Sequence, residues 1–225
     1  MNKNNSSALI IPIMVALCIP ILLFNSLFFF LNSKPVYEAL YQKYRINDKI
    51  SKDKLSNVTD SIQGYLKGES ELEEGFFSKN EQAHLNDVKK LVQKAHTFHM
   101  TLIGVIVILV FYACATDKKR FQYVIERSCF GTFAAVTFII ILLAIMYFVT
   151  GFDLPFNKFH ELFFTGNYAF DPNVSNMKYM FPDGFFMDMS FYTIIGFLIQ
   201  GLLLYVFRCY LRKDDKNHDK IKSFP

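Results

Sequence analysis

Four long stretches of this chain contain no lysine, arginine, aspartate or glutamate, although these residues make up 20% of its 225 residues. Each stretch is close to the roughly 20 residues that a helix needs to cross a hydrocarbon core about 30 Å thick. We therefore predict an all-α integral membrane protein with four transmembrane helices, at residues 8–31, 98–115, 128–149 and 189–207. The first is interpreted as a retained signal anchor rather than a cleaved signal peptide, because its apolar run is long and no small-residue cleavage site follows.

The sequence also lacks the motifs of several enzyme and transport classes. It contains no phosphate-binding P-loop, no dinucleotide-binding glycine motif, no G-x-S-x-G elbow and no protein-kinase signature. The predicted spans hold no charged residue that would mark an ion pathway; their most polar groups are Gln200 in mid-span and His99 at a boundary. Nucleotide-dependent enzymes, serine acyl-hydrolases and ion or solute transporters are therefore disfavoured.

The charges between the spans predict the orientation of the chain. Residues 116–127 and the tail 208–225 carry a net positive charge of +2 and +3, whereas residues 150–188 carry −3. Because basic residues concentrate in cytoplasmic loops, we expect the N-terminus, 116–127 and the tail in the cytoplasm, and residues 32–97 and 150–188 outside. The overall charge of +4 thus reports membrane topology and not nucleic-acid binding.

Neither of the two segments predicted to be extracellular contains a cysteine. Cys18 falls within the first predicted span, and Cys114, Cys129 and Cys209 fall at predicted cytoplasmic ends. A disulfide-stapled outer domain is therefore excluded.

The first outer segment, residues 32–97, is too long and too charged for a simple connector and is predicted to be mostly helical. Two short helices, "YEALYQKYRI" and "SIQGYLKGES", flank a stretch rich in lysine and aspartate. Ser78 and Glu81 form a capping box that predicts a helix starting near Lys79. Since neither proline nor glycine interrupts it before Gly104, we expect this helix to continue into the second transmembrane helix.

One histidine lies on the apolar stripe of that helix. His84 recurs at three- and four-residue spacing with Val88 and Leu91. Asp87, three residues further on, is placed to reach the imidazole and fix its tautomer. The plainer interpretation is a half-buried helical histidine with an incidental acidic neighbour.

The second outer segment, residues 150–188, is the densest aromatic region, with 11 aromatic residues between positions 152 and 186. So much apolar surface is typical of a segment that lies in the membrane interface or lines a lipid pocket. If residues 155–164 are helical, one face carries Phe156, Phe159, His160 and Phe163.

A second pair of histidines has the spacing of zinc ligands. His96 and His99 form an HxxH at the predicted outer end of a span. No HExxH, no CxxC and no carboxylate at a complementary spacing accompanies them. We favour interfacial anchoring and predict no metal site.

His84 and His160 remain, each on an apolar stripe near the predicted headgroup level. A neutral imidazole has a reference pKa of about 6.5 and can take and return a proton at physiological pH. The two histidines therefore indicate proton transfer on a lipid substrate.

Two motifs carry a resemblance to a known family. With "SKNEQAHLNDVKKL" at 78–91, "FNKFHELFFTGNYAFDP" at 156–172 and four spans in this order, the whole chain resembles the bacterial lipoprotein intramolecular transacylases. The chain has no tryptophan, and Tyr168 stands where the family pattern leads us to expect one. Tyrosine can fill the same interfacial role.

The resemblance implies an enzyme that moves the sn-2 acyl chain of a lipoprotein's S-diacylglyceryl N-terminal cysteine onto its own α-amino group. The product is an N-acyl, S-monoacylglyceryl (lyso-form) lipoprotein; no cofactor is expected, and the partners are diacylglyceryl lipoproteins and membrane lipids. His160 would act as the base, and His84, oriented by Asp87, would stabilise the oxyanion, although the two histidines can exchange roles. Asp171 either holds the loop against the site or only forms an Asp-Pro turn. The residues expected to bind acyl chains are Phe156, Phe159, Phe163, Phe164 and Tyr168.

Two other functions stay open at this point. One is a non-enzymatic membrane accessory protein or lipid-binding scaffold. The other is a metal-dependent lipid hydrolase that uses His84, His160 and the HxxH pair.

Overall fold

A computed structural model describes residues 3–73, 75–115, 118–164, 166 and 168–222. The described residues form helices and connecting turns, without a β-strand. In chain order the elements are α1 (Lys3–Leu31), α2 (Lys34–Lys43), a 3-10 turn (Ile46–Asp48), α3 (Lys52–Lys67), α4 (Lys79–Cys114), α5 (Lys118–Thr150), α6 (Asp153–Phe163), α7 (Asn176–Met180) and α8 (Asp183–Lys222).

Four of these helices are long and apolar enough to cross a membrane. Their candidate spans are Leu9–Leu31, Lys79–Cys114, Arg120–Thr150 and Asp183–Lys213, in α1, α4, α5 and α8. The predicted fold class, an all-α protein with four transmembrane helices, is confirmed. Each helix extends beyond its uncharged run, because charged residues at a helix end can reach water while the backbone stays helical.

The capping box predicted for α4 is present. The Ser78 N–H donates to Oε2 of Glu81 at 2.7 Å, and the Glu81 N–H donates to the Ser78 hydroxyl at 3.3 Å. From this cap α4 continues without a break to Cys114. The helix that carries His84 is therefore also the second spanning helix.

Contacts divide the described residues into two compact units. One consists of Leu27–Thr97 and Met146–Thr193, and the other contains the remaining parts of the four long helices. In the latter, a Cβ added to Gly131 on α5 would lie 2.8 Å from Val15 on α1, so the absence of a side chain permits close helix packing. Gln200 on α8 donates to the Ser26 hydroxyl at 2.6 Å, and this bond satisfies a polar group in an apolar setting.

The unit formed by Leu27–Thr97 and Met146–Thr193 has its own hydrophobic core. Helices α2 and α3 each present an apolar face to this core, as expected for amphipathic helices. The core residues are Tyr37, Leu40, Tyr41, Ile46, Leu55, Val58, Ile62, Leu66, Phe77, Leu85, Met180, Phe181 and Phe185.

The helices between α1 and α4 differ in position from those predicted. Helix α3 begins at Lys52, inside the stretch rich in lysine and aspartate, because the Ser51 hydroxyl caps it by accepting the Lys54 N–H. Leu55, Val58 and Ile62 lie at helical spacing and are buried, so the apolar face begins before "SIQGYLKGES". The helix ends at Lys67, and its C-cap residue Gly68 has φ +86° in the left-handed region that favours glycine.

Tyr44 packs into a notch at the start of α8. Its hydroxyl donates to Asp188 at 2.9 Å, and Lys43 contacts the same carboxylate at 2.5 Å. Burial, followed by the bond to Asp188, raises the pKa of the Tyr44 phenol above its ordinary value. A Cβ at Gly184 would lie 2.5 Å from the Tyr44 ring, so this position accepts only glycine without a shift of the ring.

The Gly184→Ala variant should therefore lower the free energy of unfolding, by about 1–3 kcal/mol, because the added methyl group overpacks the notch. The matched control is Gly104→Ala on α4, where an added Cβ meets nothing within 4 Å. Thermal unfolding of both variants in the same detergent measures the difference. Equal melting temperatures for the two would contradict the packing described.

Candidate active site

His160 lies on α6 with its ring against Phe156, one turn earlier. The two ring centroids are 4.3 Å apart. Nδ1 of His160 lies 2.8 Å from the backbone carbonyl oxygen of Phe156. Because a carbonyl oxygen can only accept, this bond assigns the proton of the neutral imidazole to Nδ1 and leaves Nε2 as the basic nitrogen.

His84 lies on α4 and is only 7% exposed, so its predicted place on the buried stripe is confirmed. Its ring is nearly parallel to that of His160, with an interplanar angle of 15° and centroids 6.3 Å apart. A direct hydrogen bond needs a donor–acceptor distance of about 3 Å. At this centroid separation the ring nitrogens are farther apart than that, even if a nitrogen of each ring pointed at the other. The two imidazoles are neighbours that can act on a group between them.

Phe164, the residue after α6, contacts both imidazoles. It is 7% exposed, and its ring centroid lies 4.8 Å from that of His84 and 5.5 Å from that of His160. Phe164 was predicted to bind acyl chains, and that role stays a prediction. A closely packed ring in contact with both imidazoles limits the movement of either one.

Two further aromatic residues complete the surroundings of the histidines. The Tyr168 ring lies 5.4 Å from His160, and the Phe170 ring lies 5.6 Å from His84. Phe170 was not among the candidate site residues. Only its place among the 11 aromatics pointed to it, since its spacing does not follow the helical face of α6.

The predicted aromatic face of α6 is partly exposed. Phe156 lies against His160, and Phe159 contacts His160 edge-on at 5.6 Å and Phe163 at 4.8 Å. Phe159 and Phe163 are 45% and 49% exposed. Leu162, beside them, is 76% exposed. This exposed apolar surface is of the kind that lies in a membrane interface.

Asp87, predicted to orient His84, has a partner of opposite charge on the same helix, and its orienting role stays a prediction. The Asp87 carboxylate accepts from Lys90 at 3.1 Å, and its side chain is 42% exposed. The i, i+3 spacing from His84 permitted a bond to the imidazole, but the same spacing to Lys90 gives a partner of opposite charge. Asp87 therefore faces solvent, while His84 faces the core.

Asp171 forms a turn. Its Oδ1 accepts both the backbone N–H and the side-chain amide of Asn173, each at 2.9 Å. Its backbone carbonyl accepts the N–H of Ser175 at 2.9 Å. Of the two interpretations of Asp171, the Asp-Pro turn is the one these bonds support.

The two histidines of the HxxH pair have ring contacts of their own. The His96 ring packs edge-on against Phe28 at 5.5 Å, and the His99 ring packs against Phe24 at 5.9 Å. Within the described ranges, no group of three or more His, Cys, Asp or Glu side chains is placed to hold a metal ion.

The site thus brings together two imidazoles on an aromatic wall. Helix α6 also carries an ion pair between Lys158 and Glu161, whose side chains are 66% and 50% exposed. One imidazole has an assigned basic nitrogen, and the second lies beside it. Such a pair can accept a proton from one group and donate a hydrogen bond to another on the same substrate.

The chain is similar to proteins of one known family in sequence and in fold. A family model described as "Lipoprotein intramolecular transacylase Lit" matches residues 11–186. The solved structure of the membrane-integral lipoprotein intramolecular transacylase Lit from Bacillus cereus superposes with a TM-score of 0.79 at 20% identity, covering 95% of this chain and 99% of that chain. The form of that protein with one histidine replaced by alanine gives a TM-score of 0.76 at 22% identity, covering 95% of this chain and 97% of that chain. The form with a histidine replaced by arginine gives a TM-score of 0.75 at 23% identity, covering 96% of each chain. A search of curated proteins finds no match.

Proposed function

Because the chain belongs to the lipoprotein intramolecular transacylase family, we propose that His160 and His84 carry out the acyl transfer of that family. The chain is an acyltransferase that acts on lipoproteins in the membrane. It moves the sn-2 acyl chain of the S-diacylglyceryl N-terminal cysteine to the α-amino group of the same cysteine. An N-acyl, S-monoacylglyceryl lipoprotein results.

One observation supports His160 as the base. Its Nδ1 is bonded to the Phe156 carbonyl, so the lone pair of the neutral ring is on Nε2. The α-amino group of a lipoprotein has a pKa near 8 and is largely protonated at neutral pH. Nε2 of His160 removes this proton and gives an amine that can attack.

The remaining steps move two protons away from the nitrogen. The amine nitrogen attacks the carbonyl carbon of the sn-2 ester and forms the C–N bond, while the carbonyl oxygen becomes an oxyanion and the nitrogen becomes positively charged. When the C–O bond to the glyceryl group breaks, the imidazolium of His160 returns the first proton to the leaving sn-2 oxygen, and the nitrogen loses its second proton to water as the neutral amide forms. Donor and acceptor belong to one molecule, so the reaction has the advantage of proximity and needs no acyl-enzyme intermediate.

His84 donates a hydrogen bond to the oxyanion. Its ring centroid is 6.3 Å from that of His160, so the two imidazoles are close enough to contact the same ester group. Its burial strengthens such a bond, because the low local dielectric screens it less than water does. Phe164 supports this assignment because it contacts both rings.

The aromatic residues of α6 and of the segment that follows it have two functions in the proposal. Phe156, Phe164 and Tyr168 hold the imidazoles. Phe159 and Phe163, which are more exposed, receive acyl chains from the bilayer. The proposal uses no cofactor and no metal ion.

The chain's charges support one orientation in the membrane. The net positive loop 116–127 and tail 208–225 favour cytoplasmic N- and C-termini, with residues 32–97 as an extracellular helical insert and 150–188 as an extracellular aromatic loop. The active site is then at the outer leaflet of the bacterial cell membrane.

Mass spectrometry of an N-terminal lipopeptide from cells with and without the gene tests this function. We expect an N-acylated species with one glyceride-linked chain only when the gene is present. A free fatty acid with loss of the chain from the lipopeptide would instead indicate a hydrolase. An unchanged lipopeptide from cells that contain the protein would indicate an accessory or scaffold.

A chelator separates the proposal from a metal-dependent hydrolase. Addition of EDTA to the purified chain in lipid should leave the rate of lyso-lipopeptide formation within about twofold, because the proposed route uses imidazoles alone. The matched control is the same protein with a non-chelating buffer of equal ionic strength. A loss of most of the activity that added Zn²⁺ restores would contradict the proposed route.

A further inference from the structure

A buried carboxylate one turn before His84 has two sets of partners. Glu81 is 2% exposed. Its Oε2 accepts the Ser78 N–H, which completes the capping box of α4. Its Oε1 accepts the hydroxyl of Ser175 at 2.6 Å and the N–H of Met177 at 2.8 Å. A capping box requires only the first bond, so the second oxygen ties α4 to a segment far along the chain.

The tied segment is the end of the stretch that surrounds the histidines. It leaves α6 at Phe164, includes Tyr168 and Phe170, and reaches Ser175, whose hydroxyl also caps α7 by accepting the Lys178 N–H at 3.0 Å. The side chain of Asn176 donates to the Phe76 carbonyl at 2.7 Å and adds a second tie just after Ser175. The aromatic stretch is therefore attached at its far end to the start of α4.

Glu81 and His84 are three residues apart and lie on one face of α4. The carboxylate thus joins the helix that carries His84 to the segment whose Phe164 and Phe170 contact that ring. Bonds between a carboxylate and two donors are stronger than neutral ones, and burial keeps water from replacing them.

We propose that Glu81 is a positioning residue for the acyl transfer. Its Oε1 holds the aromatic segment, which runs from Phe164 to Ser175, on α4, so that Phe164 keeps the imidazoles of His84 and His160 at their separation. The inference deepens the proposed function and rests on it. A misplacement of about 1 Å far from the chemistry can lower a rate by roughly 10²-fold, so loosening this tie affects turnover more than binding.

The Glu81→Gln variant weakens the tie. Glutamine has a single oxygen and cannot accept from all three donors that the carboxylate serves, so an amide N–H faces either the Ser78 N–H or the Met177 N–H. The bonds that its neutral oxygen does accept are also weaker than those to a carboxylate. We expect kcat to fall by about 10- to 100-fold while KM changes by less than about threefold.

Three variants serve as comparisons. Ser175→Ala removes the hydroxyl that donates to Oε1 and should lower kcat as Glu81→Gln does, whereas Ser175→Thr keeps a hydroxyl and should restore it. Ser78→Ala is the control, because it removes only the hydroxyl that accepts the Glu81 N–H and leaves both bonds of Oε1 in place. It should lower the melting temperature and leave kcat within about twofold, since an N-cap contributes to helix stability.

The test measures kcat and KM for conversion of a synthetic diacylglyceryl lipopeptide by the full chain in lipid vesicles. Lower kcat in Glu81→Gln and Ser175→Ala, with near-native kcat in Ser78→Ala and Ser175→Thr, supports the inference. A native kcat in Glu81→Gln overturns the inference, as does a loss of kcat in Ser78→Ala as large as that in Glu81→Gln. If Glu81→Gln does not fold, the comparison of Ser175→Ala with Ser175→Thr decides: a native kcat in Ser175→Ala overturns the inference. A native rate in His160→Ala would contradict the proposed function itself, whereas an inactive His160→Ala with a native Glu81→Gln overturns only the role of Glu81.

Discussion

The His160→Ala variant is expected to form the N-acylated lyso-lipopeptide about 10²- to 10⁴-fold more slowly than the native chain, which is the range that a general base contributes. Without Nε2 of this ring, only the small fraction of the α-amino group that has lost its proton to water can attack. The intramolecular placement of amine and ester remains, so a low residual rate is expected.

The measurement is mass spectrometry of a synthetic diacylglyceryl lipopeptide incubated with the purified chain in lipid. His96→Ala is the matched control, because it removes another histidine of the same compact unit that packs on Phe28 and lies outside the site. The control should keep a near-native rate. A native rate in His160→Ala, at an unchanged melting temperature, would remove His160 from the mechanism.

The His84→Ala variant should have the second largest effect, a loss of about 10²- to 10³-fold, as for removal of one oxyanion donor. His84 is buried against Phe164 and Phe170, so the substitution also leaves a cavity and is expected to lower the melting temperature. The rate is therefore compared at a temperature well below unfolding.

Glutamine at each position distinguishes a base from a hydrogen-bond donor. A glutamine amide can donate to an oxyanion but cannot take up a proton at neutral pH. His84→Gln should keep more activity than His84→Ala, whereas His160→Gln should be as slow as His160→Ala. The reverse pattern would exchange the roles of the two histidines.

The sequence was sufficient to predict the parts of the fold that depend on local patterns. The four uncharged runs correspond to the four candidate spans, and the spacing of Ser78 and Glu81 corresponds to the cap of α4. The start of α3 was missed because charged residues dominate the stretch around Lys52 and hide the spacing of its apolar residues. Helix α3 forms in this polar stretch because its apolar side chains are buried on one face while its lysines reach water from the other.

The site was less accessible to sequence reasoning, because its contacts join residues far apart in the chain. His84 and His160 were each selected from their own helical face, but neither face contains the information that the rings are parallel and 6.3 Å apart. Phe164 was selected only as one of several aromatics. The bonds from Glu81 to Ser175 and Met177 had no signal in the sequence, since the capping box already accounted for that residue.

Local spacing offered Asp87 two possible partners. Asp87 is three residues after His84 and three before Lys90, and the structure pairs it with the lysine. An exposed carboxylate gains more from a charged neighbour in water than from turning inward to a neutral ring, which would cost desolvation. Helical spacing therefore gives the candidates for a contact, and burial decides between them.

The most direct test of the account is the rate of lyso-lipopeptide formation by the double variant His84→Ala/His160→Ala, set beside the two single variants. If the two imidazoles act as one unit on the same substrate, removing the second should cost little once the first is gone. We predict a double variant no more than about tenfold slower than the slower single variant. Losses that multiply, or a native rate in either single variant, would contradict the account.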